Sequence, residues 1–486
     1  MKALRPRRRR IAHQRAAQCA LMFCAGVAAP VAAIGAAIGA ARAQEPPQQP
    51  GQQPAPQPGS ANAPAGEPAS AATQTPATPF VRGQLMSRYW LRWSGGRSDQ
   101  DLYESLLLDV GHEDRDAVTG HVYGRLAADI DGHGGGSSPY FSLQDTRNGA
   151  VDAQLYDAYA DLHRIGGLEL LRVGRQTLYD TPEQAFFDGV HCRTSPTGAG
   201  ELQFGAYGGV STHLYESSRH GDWTAGLYGE GRPWEGGRVR LDWMHLEDET
   251  LLGAHNDDLF GGGIWQTIDR VQLEAQYTRL EDRDRDLRAR AAWAAPDSRF
   301  TGQVTWYQML ATQRSEVLEL DPFFNALHEL FPYWQAGALL GKGLGEHFDV
   351  DVGTDVRRVS DRTDIGTFNR DYERWYVTLV AHDLFAAGLT LSATADFWHS
   401  NDQDVQTWAG EISQRCGDLL TLSAGSYYSL YKFELFLDDE RDHVRTYYAR
   451  VRHKTSRALD FELAYEFEQT DFQDFQMLRV GSTWHF

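Results

Sequence analysis

Lysine is nearly missing from this chain, cysteine is scarce, and the stretch after residue 79 holds no apolar run near the ~20 residues a membrane helix needs. Beyond residue 43 only three lysines remain, Lys342, Lys432 and Lys454, so arginine supplies almost all the positive charge. Eight of the 46 basic residues and none of the 66 acidic ones fall in residues 1–43, which leaves 38 against 66, a net charge of −28. That acidity excludes nucleic acid as an expected partner, because no basic arm or patch offsets it.

Of four cysteines, Cys19 and Cys24 lie in the first 43 residues; Cys192 and Cys416 are the remaining pair. An exported location permits a disulfide, but the strand order derived below puts these two on distant strands, and two unpaired thiols are expected. Neither sits in a Cys-x-x-Cys-His sequence, so covalent haem is excluded and no cofactor is expected. The histidines are scattered, with no His-x-x-x-His and no Gly-x-Ser-x-Gly. A rim hydrolase would need a Ser or Asp beside a His; His213 with Asp222 is one such pair, but nothing singles it out, and the chain does not read as an enzyme. Asp129-Ile130-Asp131-Gly132-His133-Gly134 begins like a calcium loop, yet Tyr140 stands where the twelfth-position acid belongs. It reads as a glycine-rich outer loop, with no metal.

What the chain does contain falls into three parts. Residues 1–43 combine a basic start (Lys2, Arg5, Arg7 to Arg10, Arg15), an Ala/Gly-rich apolar middle and the small-x-small end Ala41-Arg42-Ala43, a secretory signal peptide. The alternatives are a twin-arginine signal, which would carry folded cargo, and a lone membrane anchor, for which the apolar part is too rich in Gly and Ala. Residues 44–79 hold ten prolines among Gln, Ala, Ser and Thr and almost no large apolar residue. Such a segment cannot bury enough surface to fold and reads as a disordered periplasmic tail, a spacer or a tether.

From Phe80 to Phe486 the pattern has period two. Val118, Gly120, Val122, Gly124, Leu126 and Ala128 alternate with Thr119, His121, Tyr123, Arg125 and Asp129; Leu459, Phe461, Leu463 and Tyr465 alternate with Asp460, Glu462 and Glu466. Strands with one apolar and one charged face, too many for a sandwich, point to an all-β transmembrane antiparallel up-and-down barrel whose apolar face meets lipid. Short turns such as Arg164-Ile165-Gly166-Gly167 alternate with long polar loops. Counting both classes gives about 18–22 strands, with 22 the best count, opening near residues 82–94 and 102–111 and closing near 459–468 and 475–486. Even parity places both termini in the periplasm. The last strand ends on Phe486, the kind of terminal aromatic that the outer-membrane barrel-insertion machinery reads.

So wide a barrel needs narrowing. The longest loop, residues 313–333, is unusually apolar: Asp321 caps a short helix with Pro322 at its first position, and Phe323, Phe324 and Phe331 share a face. The expectation is a constriction folded into the lumen or a helix on the rim. Charged rows on inward faces suit ion selection. Arg172, Arg175, Gln176, Arg288 and Arg290 with Asp349, Asp351 and Asp355 are the expected lumen contacts, and the acid excess suggests weak cation preference. Arg238 with Arg240 and Arg450 with Arg452 form further basic rows, the last expected to pair locally with the Asp460 strand.

The segment Tyr156-Asp157-Ala158-Tyr159-Ala160-Asp161-Leu162, then Leu171-Arg172-Val173-Gly174-Arg175-Gln176, then Phe187-Asp188-Gly189-Val190, resembles the alginate-export-like outer-membrane porins over roughly forty residues. The resemblance implies a monomeric, cofactor-free barrel passing a solute across the outer membrane. The family's exporter has an arginine-lined lumen, whereas this chain is strongly acidic, which tells against alginate itself. On the residues alone, Gly174 lets a neighbour approach closely, and Arg175 and Gln176 either contact solute or staple the Asp161 strand. The leading expectation is therefore a porin-like channel in outer-membrane lipid for small or oligomeric polar solutes. The alternative is a barrel sheath enclosing a separate multihaem cytochrome for electron transfer, with a periplasmic partner at the tail.

Overall fold

The computed structural model describes residues 80–131, 151–212, 222–250, 253–312, 331–365, 370–400, 403–434, 439–470 and 473–486. The expected signal peptide and tail, and Asp321, Phe323 and Phe324 of the expected constriction loop, lie outside them.

The described residues form 22 strands, each antiparallel to the next in sequence, and the last pairs with the first. The barrel opens with β1 (Val81–Ser94), β2 (Arg97–Val110), β3 (Val118–Asp129) and β4 (Val151–Ile165). It continues through β5 (Leu168–Leu178), β6 (Ala185–Thr194), β7 (Gln203–Ser211), β8 (Trp223–Gly231) and β9 (Gly237–Thr250). Next come β10 (Gly253–Ile268), β11 (Val271–Leu280), β12 (Arg283–Ala295), β13 (Phe300–Met309) and β14 (Tyr333–Leu344). The far wall is β15 (Phe348–Val359), β16 (Tyr372–His382), β17 (Leu389–Ser400) and β18 (Gln403–Cys416). Then β19 (Leu420–Glu434), β20 (Asp439–Ser456), β21 (Leu459–Gln469) and β22 (Phe475–His485) close the ring. The best strand count is borne out. One boundary moves: β2 starts at Arg97, directly after the glycine turn Gly95-Gly96.

Closure matters because hydrocarbon offers no hydrogen-bond partner to an open strand edge. Turn parity follows the sequence pattern. On the termini side, where the first strand starts and the last strand ends, the connections are short, as at Gly166-Gly167, where φ values of 57° and 86° suit a two-residue hairpin that glycine enters without strain. In another turn on that face, Asp116 accepts hydrogen bonds from the His112 amide and the Arg115 guanidinium, which holds its carboxyl down to about 2. The longer connections lie at the opposite end, the arrangement of periplasmic turns and outer loops.

The outward row is apolar and aromatic. Val173, Leu227, Leu241, Ile264, Val304, Leu340, Val377, Leu463 and Val480 are exposed along it, as a lipid-facing wall requires. Trp223, Trp306 and Trp375 stand on it toward the loop end, with Trp334 stacked on Trp306 at 5.1 Å. Phe461, Trp484 and Phe486 stand at the termini end, so two aromatic girdles bracket the wall. Glu104 is an exception midway along β2: on the row of Leu102 and Leu106, it accepts a 2.7 Å hydrogen bond from the Ser87 hydroxyl. Cys192 and Cys416 are both free, on β6 and at the end of β18.

Candidate functional site: the lumen wall

Strand register sorts every described strand residue into an outward or a lumen row. Arg172 lies on the lumen row with Asp161 and His191. Arg288 and Arg290 lie on that of β12, and Asp349, Asp351 and Asp355 on that of β15. Six of the expected lumen residues thus share the inner surface, though they are spread around it rather than gathered at one point.

Arg175 is a correction. Three residues from Arg172, it must point the opposite way, and it occupies the outward row between Val173 and Thr177, across from Ala158 and Asp188. It donates to both Asp188 carboxylate oxygens, at 2.7 and 2.6 Å, so it staples β5 to β6 rather than to the Asp161 strand. Arg172 makes that second staple, donating to Asp161 at 2.7 and 2.8 Å. Gln176 is on the lumen row but fully buried, its amide donating to the Gly174 and Gly189 carbonyls at 3.3 Å, which removes it as a solute contact. Gly174 does permit close approach: with φ at 130°, a Cβ there would lie 2.9 Å from the Tyr159 α-carbon and still nearer the Ala158 carbonyl.

Two devices hold the wall's charges in place. Acids pair with arginines: Arg92 with Asp101 at 2.6 Å, Arg374 with Asp396 at 2.7 Å, and Arg452 with Glu462 at 2.8 Å, the local pairing expected from sequence. The guanidinium groups also lie over aromatic rings. Arg172 is 3.6 Å from the Tyr159 centroid, Arg357 3.7 Å from Tyr333 and Arg240 4.1 Å from Tyr228. Arginines stacked and paired this way lie along the wall instead of crossing the lumen. At the termini-side mouth, carboxylates are shared: Asp109 by His121 (2.6 Å) and Arg82 (3.0 Å), Asp349 by His382 (3.0 Å) and Arg299 (2.6 Å).

The inward-folded segment seen among the described residues is the β5–β6 connection, residues 179–184, which the sequence reading missed. Pro182 packs against Gly261 on the lumen row, Asp180 reaches Arg240 at 3.9 Å, and Glu183 pairs with Arg285. Next to this loop, Phe187, Tyr207, Tyr228, Met244 and Leu259 form a buried apolar cluster on the inner wall. The proline and two acids were its only sequence signals, and they are common in any loop.

The carboxylates of Asp99, Asp129 and Asp131 come within 4.8 Å of one another at the loop end. Arg92 already pairs with Asp99 and Asp101, so the cluster reads as an ionic seam. An apolar groove lined by Ile264, Leu273, Ala289, Val304 and Trp306 lies on the outward row, away from the lumen.

No protein-family model matches the sequence, and no curated protein matches it. Among solved structures, the chain is similar to OccAB3 of Acinetobacter baumannii, at 12% identity and a TM-score of 0.42, over 84% of this chain and 99% of that one. It is also similar to OpdK of Pseudomonas aeruginosa, solved with vanillate, at 11% identity and a TM-score of 0.40, over 84% and 98%. The superposition is loose, and the fold assignment stands on the closure of the chain's own 22 strands.

Proposed function

We propose that this chain is an outer-membrane porin that passes small polar solutes through an aqueous lumen, with a weak preference for cations. One observation carries the reading: a closed wall whose outward row is mostly apolar and whose inward row is rich in ionised groups, most of them paired within the wall. Ionised groups at that density need water beside them. The resemblance of the Tyr156–Val190 segment to alginate-export-like porins supports the same class of activity. With Arg172 neutralised by Asp161 and Arg175 on the outward row, a polyuronate finds few free cations there, so small solutes are favoured over an anionic polymer. The secretory leader, the periplasmic tail and recognition of Phe486 by the insertion machinery belong to the same reading. No observation favours the cytochrome sheath, and the loop of residues 179–184 takes up lumen space that a sheath would need.

Purified protein in a planar bilayer is expected to conduct in steps. Absence of conductance from folded, inserted protein at any voltage or salt concentration would overturn the proposal.

A further inference from the structure

Acids on the lumen wall are mostly matched by arginines, and β15 departs from this. Among the described residues no cation lies within ion-pair distance of Asp351, and Asp355 has only Arg374 at 3.9 Å, itself bound to Asp396 at 2.7 Å. The neighbouring strand β14 presents Gly337, Leu339, Gly341 and Gly343 on its lumen row. Three-strand register rows place Thr305, Gly337 and Asp355 side by side, and likewise Thr301, Gly341 and Asp351.

With no side chain at the central position of each row, the flanking oxygens lean over the glycine from both sides. At Gly337, the site a Cβ would take lies 2.7 Å from Asp355 Oδ1 and 2.9 Å from Thr305 Oγ1. At Gly341, it lies 2.6 Å from Thr301 Oγ1 and 2.7 Å from Asp351 Oδ1. Each station therefore offers one carboxylate and one hydroxyl oxygen converging toward the lumen. The stations are four residues apart, about 13 Å along the strand, more than a Debye length of about 8 Å at physiological salt, so each acts alone. Below them Arg299 covers Gly343 and binds Asp349 at 2.6 Å, closing the row at the mouth.

We propose that the paired oxygens over Gly337 and Gly341 form a two-station track that binds monovalent cations, or a solute's primary ammonium group, during passage through the lumen. The proposal rests on the reading of an open lumen and assigns selectivity to β13–β15 in particular. Hard oxygen ligands replace part of a cation's hydration, and two weak sites allow it to leave as well as enter.

The test separates this geometry from bulk charge. Gly337→Ala and Gly341→Ala add a methyl group that parts the oxygens without altering any charge, and the displaced atoms end mobile side chains. Thr301→Val and Thr305→Val remove the hydroxyls. In asymmetric KCl, the reversal potential is expected to show the potassium-to-chloride permeability ratio falling about twofold in the paired glycine variant and in the paired threonine variant. Thr378→Val, on the lumen row but bonded to Thr394 at 2.8 Å, is expected to leave the ratio unchanged. Unboiled gel mobility confirms folding. If the ratio falls only with Asp351→Asn, net charge alone sets selectivity and the track is overturned. A wild-type barrel that does not conduct overturns the channel reading instead. Line broadening of thallium-205 by the solubilised barrel then reads binding directly, with loss in Gly341→Ala supporting the track and equal broadening sinking it.

Discussion

Gly83 and Phe486 exchange two backbone hydrogen bonds, the Gly83 amide donating to the Phe486 carbonyl at 2.9 Å and the Phe486 amide to the Gly83 carbonyl at 3.1 Å. The Phe486 ring lies over the Gly83 α-carbon, so a Cβ there would meet Cε2 at 2.6 Å and the Leu107 carbonyl at 2.9 Å. The first and last strands are thus locked at their termini-side end by a residue without a side chain and one with a large one.

Gly83→Val is expected to destabilise the barrel by about 1–3 kcal/mol, the usual range for overpacking a filled site. Phe486→Ala in the same chain opens the space and is expected to restore part of the loss. Urea unfolding in lipid vesicles measures both; additive losses would show that the two residues do not compete for one space.

Arg172 and Asp161 form a two-pronged ion pair whose side chains are only 20% and 10% exposed. Asp161→Asn leaves the guanidinium over Tyr159 without its counter-charge, and a cost of about 2 kcal/mol is expected. A double-mutant cycle with Arg172→Met is expected to recover most of it. In single-channel recordings Asp161→Asn also moves selectivity toward chloride, since it frees a lumen cation.

The loop of residues 179–184 is held by Asp180, 80% exposed, on Arg240 and by Glu183 on Arg285. The acidic partner of each pair is open to solvent, although the arginines are not, and pairs screened in this way contribute about 1 kcal/mol each, so the loop is weakly latched. Asp180→Asn with Glu183→Gln is expected to raise mean conductance and current noise together. An unchanged single-channel amplitude would mean that the loop does not narrow the path.

Glu104 places a carboxyl on the lipid-facing row with Ser87 as its hydrogen-bond donor and, among the described residues, no cation within ion-pair distance. Replacing it by leucine removes the cost of keeping a polar group in hydrocarbon, so Glu104→Leu is expected to stabilise the inserted barrel by up to about 2 kcal/mol. A loss of stability in vesicle unfolding would show that the carboxyl holds the β1–β2 seam together.

The sequence by itself determined the class of fold, the strand number and the common side on which the first strand starts and the last strand ends. Those properties are local: a period-two pattern sets a strand's two faces, and turn length sets the side of each connection. Alternation also placed Asp349, Asp351, Asp355, Arg288 and Arg290 on the inner surface, and it already contained the correction for Arg175, because residues three apart on one strand cannot share a face. Tertiary structure decided what alternation cannot carry. Register across three strands brought Thr301 and Asp351 together over Gly341, and the packing of Pro182 on Gly261 drew residues 179–184 inward. Such contacts join residues far apart in the chain, and they exist only once hydrogen bonding between neighbouring strands has set which residue stands beside which.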